Sequence, residues 1–271
     1  MSYEIEKIKE LAPSAFRESK AGAANGVSKK YQFMQTSEII EGLGKMGWNV
    51  YSAIQPKTKK DPETAKHMIR FRHDHFGSLG VKGNIPEILL INSHDRTTSL
   101  KFHVGIFRLI CSNGLVVADT TFNKLQIRHM NTTFEEVKVG INTIVKELPQ
   151  VFGKIEQFEN TFLTEKQEVE FVMKALTKRY PEYLNPKTNK VDQVKIKSHF
   201  TLEEIMKPLR PEDSGNSVWQ IYNKVQEKLI KGGFIHTGAT GKVKASRALT
   251  HIRTNTLVNQ GLWHLAEEYS N

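Results

Sequence analysis

The chain has a single cysteine among 271 residues. That excludes an intramolecular disulfide and fits a reducing cytoplasm. No apolar run approaches the roughly 20 residues that a helical membrane span needs, so no membrane partner is expected. The first residues, MSYEIEKIKELAPS, mix both signs of charge and lack an apolar h-region, which argues against a signal peptide. The sequence shows no internal repeat and no low-complexity tract. Acids are short as well: 29 Asp and Glu stand against 39 Lys and Arg, a formal +10 with a pI near 9.5. Such an excess argues for a polyanionic partner, nucleic acid above all, and says nothing about the fold.

The signatures of cofactor and metal chemistry are missing too. No C-x-x-C, H-E-x-x-H or G-x-S-x-G occurs. Gly238-Ala-Thr-Gly241-Lys242 resembles part of a phosphate loop, but His236 stands where the first glycine is needed and Val243 where Ser or Thr would hold magnesium. No cofactor is therefore called for. Among ten histidines, His73-Asp74-His75 sets two imidazoles on one strand face about 7 Å apart, with His94, Asp95 and His103 as further candidates for a metal site. Scattered histidines are more often hydrogen-bonded or surface residues. Cys111 reads in the same way as a small buried hydrophobe before it reads as a nucleophile.

What is present is patterned. Glu38–Met46 reads as a helix, capped by Thr36 or Ser37 and ended at Gly47. Trp48–Ile54, His67–Asp74, Glu87–His94, Ser99–Ile110, Leu115–Ala118 and Phe122–His129 read as antiparallel strands, with Asn113-Gly114 as a hairpin turn. From Phe134 the period becomes 3.6, and Phe134, Val137, Ile141, Ile144, Val145, Leu148, Phe152, Ile155, Phe158 and Phe162 form one stripe that Pro149 should kink or split. Capping boxes start helices at Thr164/Gln167 and Thr201/Glu204. Tyr180–Lys190 reads as a linker, and Ser217–Lys231 and Ala245–Tyr269 as further helices. The expected fold is α+β: a curved antiparallel sheet of five to seven strands covered by a long helix, with a helical C-terminal part. The expected segments are residues 1–35, an α+β core over 36–179, and a basic helical region over 191–271.

Strand alternation collects Arg70, Arg72, Lys101, Lys124 and Arg128 on one sheet face, with few acids. Phosphate contacts come chiefly from such residues, although the outer face of any antiparallel sheet is charged and solvated. The second cluster is C-terminal. Lys224, Lys228 and Lys231 share a helix face, Lys242, Lys244, Arg247 and Arg253 follow, and Glu227 is the sole acid from Lys224 to Arg253. A basic hairpin or arm between Gly232 and Lys244 is the leading candidate for touching nucleic acid. Tyr51, Phe76, Trp219, Tyr222 and Trp263 are available for base stacking, although Trp219 and Tyr222 fall at core spacing.

Arg108-Leu-Ile-Cys-Ser-Asn-Gly-Leu115, Ser217-Val-Trp-Gln-Ile-Tyr-Asn-Lys-Val-Gln226 and the closing helix near Asn259–Tyr269 carry a family likeness. With these segments the chain resembles the phage/plasmid-like proteins of domain-of-unknown-function family 932, over about residues 35–270. The resemblance implies a role in the DNA metabolism of a mobile element, in the cytoplasm of a bacterial host cell. A weaker, architectural likeness to single-strand annealing proteins implies single-stranded DNA bound in a basic groove of a homo-oligomer, without ATP. The expected function is thus single-stranded DNA binding, extending to strand annealing in recombination, with no covalent catalytic residue. The alternative is a metal-dependent nuclease or hydrolase built on the histidines.

Overall fold

The computed structural model describes residues 4–18, 35–58, 61–75, 83–95, 98–108, 113–116, 126–127, 134–238 and 241–271. By packing the chain forms two compact units, residues 1–148 and 149–271.

The first unit opens with α1 (Ile5–Leu11) and α2 (Thr36–Lys45). Gly47, at φ +84°, lets the chain leave α2 straight into β1 (Trp48–Ile54), and a Cβ there would sit 2.8 Å from His73 Nε2. The body of the sheet is four antiparallel strands in sequence order: β1, β2 (His67–His73), β3 (Asn84–Asn92) and β4 (Leu100–Arg108). Two short pieces, β5 (Asn113–Val116) and β6 (Gln126–Ile127), both pair with β4. A sheet of five to seven strands was expected. Instead the four long strands carry the sheet, and the last two are short additions to one strand.

The hairpin after β4 also differs. Asn113 pairs with Arg108, Gly114 with Phe107 and Leu115 with Ile106. The chain has therefore reversed before Asn113, and the connection is 109–112, outside the described residues. With the turn at Asn113-Gly114, Leu115 would have faced Ser112. The two registers differ by an even slip of six residues, which leaves every side chain on its own face, so alternation could not separate them.

The register puts Trp48, Val50, Ala53, Ile69, Phe71, Ile88, Leu90, Phe102, Val104 and Ile106 on one face, and all are buried. Ile39 and Leu43 of α2 join this core, as α2 packs on β1. Thr36 does not cap its helix: Gln35 occupies that position without a side-chain bond. Thr36 Oγ1 serves the core instead, 2.9 Å from His67 Nε2 and accepting from Asn92 Nδ2 at 3.0 Å. Ser14 Oγ lies 2.6 Å from His67 Nδ1 and donates to Gln55 Oε1 at 2.7 Å. This chain of bonds is consistent with one neutral tautomer, Nδ1–H donating to Ser14 and Nε2 accepting from Thr36. Burial pushes the His67 pKa down to about 4, which fits.

The helix α3 (Phe134–Asn160) runs unbroken through Pro149, and the unit boundary falls at that residue. Its N-terminal half buries Val137, Ile141, Ile144 and Leu148, and Phe134 lies over Gly42 of α2.

The second unit contains the remainder of α3, then α4 (Glu165–Arg179), α5 (Gln193–His199), α6 (Leu202–Met206), α7 (Val218–Lys231) and α8 (Ile252–Ser270). Between the last two lies a hairpin of β7 (Ile235–Thr237) and β8 (Val243–Ala245). Capping boxes at Thr164/Gln167 and Ser217/Gln220 start α4 and α7. Thr201 makes no such bond, because Glu204 accepts from the Ile235 N–H instead. Residues 245–251, expected to begin the last helix, are instead the last residue of β8 and a non-helical strap held by Leu249 N–H to Ile230 O. Phe158, Phe171, Tyr222, Val225, Leu262 and Trp263 make the core, with Phe158 set edge-on to Trp263 at 5.1 Å. The helix α4, grouped by sequence with the sheet, packs on α7 and α8. Among the described residues no helix is long and apolar enough to cross a membrane.

Candidate nucleic-acid interface

The sheet cluster begins with an acid that strand alternation did not weigh. The register places Arg70, Arg72, Glu87, Leu89, Ile91, Lys101 and His103 on one face. Arg70 Nη1 donates to Glu87 Oε2 at 2.6 Å, and Arg72 Nε donates to Glu87 Oε1 at 2.8 Å. Arg72 also lies over the rings of Tyr51 and Phe107, at 4.5 and 3.4 Å from their centroids. Glu87 is 1% exposed, Arg70 8% and Leu89 0%. The face is therefore buried and internally paired, whereas a basic, solvated face was expected. Every residue of β3 is buried, so this strand is covered on both sides, and a charge inside must find a partner. Lys101 is half-buried on the same face, while Lys124 and Arg128 lie outside the described residues.

The C-terminal cluster splits in two. Lys224 is buried, donates to Gly215 O at 2.9 Å, and burial pulls its pKa below the usual lysine range. Lys231 pairs with Glu227 at 3.0 Å, and Arg210 holds the same carboxylate with two bonds. Burial would raise the Glu227 pKa, but Arg210 and Lys231 together bring it below its ordinary value. Lys228 and Lys231 also occupy the last turn of α7, where cations complement the macrodipole. These three lysines are accounted for by the fold.

Lys242, Lys244, Arg247 and Arg253 are not. All four are exposed, and no acid occurs in the sequence between Glu227 and Glu267. Arg253 stands in the first turn of α8, which carries no acid there, so it faces the positive end of the helix dipole. Lys242 and Lys244 flank Val243 on the hairpin, whose turn is closed by Gly238 N–H to Lys242 O at 2.8 Å and by Gly241 at φ +75°.

The hairpin has a firm root. His236, opposite Lys244 in register, stacks on Phe200 at 5.3 Å with an interplanar angle of 8°, and Tyr180 lies 5.5 Å away. Phe200 also forms a β-bridge with His236. Burial, then Lys244, holds the His236 pKa below its usual value. Arg179 donates to the carbonyls of Leu229 and Arg247, tying the strap behind the hairpin to the end of α7.

Of the aromatic candidates, Trp219, Tyr222 and Trp263 are core residues, Tyr51 is held against Arg72, and Phe76 lies outside the described residues. The histidine candidates do not converge. His73 Nε2 contacts Met46 O at 3.1 Å and His73 Nδ1 accepts from the His75 N–H at 3.1 Å, so both nitrogens are engaged. Among the described residues no three His, Cys, Asp or Glu side chains are grouped to hold a metal ion. Cys111 is outside the described residues. Sequence reasoning missed His67 and Glu87, and only Glu87 left a signal: an acid in the middle of an apolar strand asks for a buried cation.

A family model described as a domain of unknown function, DUF932, matches residues 24–257. Two Escherichia coli K12 proteins are similar to the chain, the UPF0380 proteins YafZ and YfjQ. Each is 30% identical over 265 residues, covering 97% of this chain and 89% of the relative. No solved structure matches.

Proposed function

We propose that this chain, which belongs to the DUF932 family, binds single-stranded DNA through the cations on and after the β7–β8 hairpin. One observation carries the reading. Lys242, Lys244, Arg247 and Arg253 are exposed in a stretch without acids, and the fold gives them no work. Arg253 stands against the helix dipole, a position that costs about 0.3–1 kcal/mol if anything. Cations left in that state suit a phosphate backbone, whose binding is driven by counterion release. Lys224, Lys228 and Lys231, and Arg70 and Arg72 on the sheet, then serve the fold rather than the ligand. Lys101, Lys124 and Arg128 stay in the proposal as a second path for the strand.

The wider reading is a mobile-element protein of the bacterial cytoplasm, acting as a homo-oligomer in strand annealing without ATP or metal. It takes the stripe Val137, Ile141, Ile144 and Leu148 as the cover of one sheet face. Retention of a labelled single-stranded oligonucleotide at about 50 mM salt, falling steeply by 200 mM, is the expected result. No retention at the lower salt would sink the proposal. Annealing of complementary strands without nucleotide or metal would extend it to recombination.

A further inference from the structure

The hairpin carries more than charge. Cross-strand pairs place Ile235, Thr237, Val243 and Ala245 on one face and His236 and Lys244 on the other. The second face is anchored: His236 lies flat on Phe200. On the first face Val243 is 71% exposed and Ile235 46%. A hairpin of three-residue strands would ordinarily put such side chains to use in a core, since each buried aliphatic side chain is worth about 1.5–3 kcal/mol. The root leaves no room for that. A Cβ on Gly232 would lie 2.6 Å from Ser246 O and 2.7 Å from the Arg247 carbonyl carbon, so the strap is clamped against the end of α7. The apolar face thus points outward, and Lys242 and Lys244, Val243's neighbours in the chain, alternate to the opposite face of the hairpin.

We infer that this hairpin is a wedge for the end of a duplex where it opens into single strand. Val243 and Ile235 would pack on the exposed terminal base pair, and the flanking cations would hold the phosphates of the departing strand. The inference rests on the nucleic-acid reading above and narrows its ligand to a junction. Charge complementarity selects this occupant: aliphatic side chains set among cations are the pattern with which proteins insert between base steps, and base faces stack on apolar groups whatever the sequence. Glu204, the nearby acid, is engaged with the Ile235 N–H at the root and stands away from the turn. Lysines next to Val243 in the chain also discourage pairing with another strand. Two aliphatic side chains make a poor membrane anchor, which needs a longer apolar face.

The test uses the full chain at about 50 mM salt with three labelled DNAs: a single strand, a blunt duplex, and a partial duplex carrying 2-aminopurine at its last pair. The junction should bind about tenfold tighter than the single strand, the effect of one stacked base, and the 2-aminopurine signal should rise on binding. The double variant Ile235→Ser/Val243→Ser should bring the junction-to-single-strand ratio to about one and abolish the signal change. Both side chains are exposed, and an unchanged melting temperature would confirm that the variant folds. Equal affinity of the native chain for junction and single strand, with no signal change, overturns the wedge and leaves the single-strand reading standing. Failure to bind any of the three DNAs overturns that reading itself. Capture by anionic vesicles that is lost in the double variant, with no junction preference, overturns the wedge in favour of lipid.

Discussion

Arg70 and Arg72 on the sheet and Lys242, Lys244, Arg247 and Arg253 behind α7 look alike in the sequence, as basic residues at spacings that share a face. In the structure they are opposites. The sheet pair converges on the buried carboxylate of Glu87 and one of its members lies against two aromatic rings. The hairpin set stands in solvent with no acid in its stretch of chain. A buried cation is fixed by its partner, because losing the partner strands a desolvated charge. An exposed cation without a partner contributes little to the fold and remains available to a ligand. Position in the fold separates paired from exposed charge here, where counting did not.

The comparison breaks most sharply at Glu87. Glu87→Gln should destabilise the first unit by about 3–5 kcal/mol, read as a shifted chemical-denaturation midpoint, since it leaves two arginines around a neutral amide. If the midpoint moves by less than about 1 kcal/mol, the sheet cluster is not structural. On the other side, replacing Lys242, Lys244, Arg247 and Arg253 together by Gln should leave the melting temperature nearly unchanged. Single-strand affinity should fall by about two to three orders of magnitude at low salt. The salt slope should drop by up to about 3, or roughly 0.7 for each lost phosphate contact. A full salt slope in the quadruple variant would move the interface elsewhere.

His67 sharpens the contrast through pH. Its folded pKa, near 4, is below the unfolded value of about 6.5, so the unfolded chain binds the proton more readily. The stability it supports is complete above about pH 6.5 and is lost as pH falls towards 4, by roughly 3 kcal/mol in all. His67→Gln should be less stable at pH 7.5 yet show a flatter decline over that window. A parallel decline in both proteins would assign the acid sensitivity to other groups. The smallest effect is expected at Arg253→Glu. It should gain about 0.3–1 kcal/mol from the helix dipole while weakening DNA binding, so stability and affinity move in opposite directions. A loss in both would make Arg253 structural.

Much of the fold was legible locally. The bounds of β1 follow from an apolar–polar run that ends at a polar loop, and the Thr164/Gln167 box and the glycines after α7 mark helix ends through bonds to near neighbours. The site was only half legible. The basic stretch after Lys231 and a hairpin within it were visible, because composition and turn residues are local. The exposed apolar face of the hairpin was not, since exposure of Val243 depends on what fails to pack against it. Thr36 shows the same limit in miniature. Its sequence position suits a helix cap, but His67 and Asn92, distant in sequence, use its hydroxyl instead.

The sequence by itself determined the α+β order of elements, the long amphipathic helix, the basic balance and the family. Each of these rests on interactions between residues a few positions apart or on a sum over the whole chain. Tertiary structure decided the register after β4, the burial of both faces of β3, and the division of the cations into paired and exposed sets. Those depend on contacts such as Arg70 with Glu87, which lie 17 residues apart in sequence and meet only because two strands pair. Desolvation is what makes such a contact decisive: once the sheet closes over a charge, its partner is no longer optional.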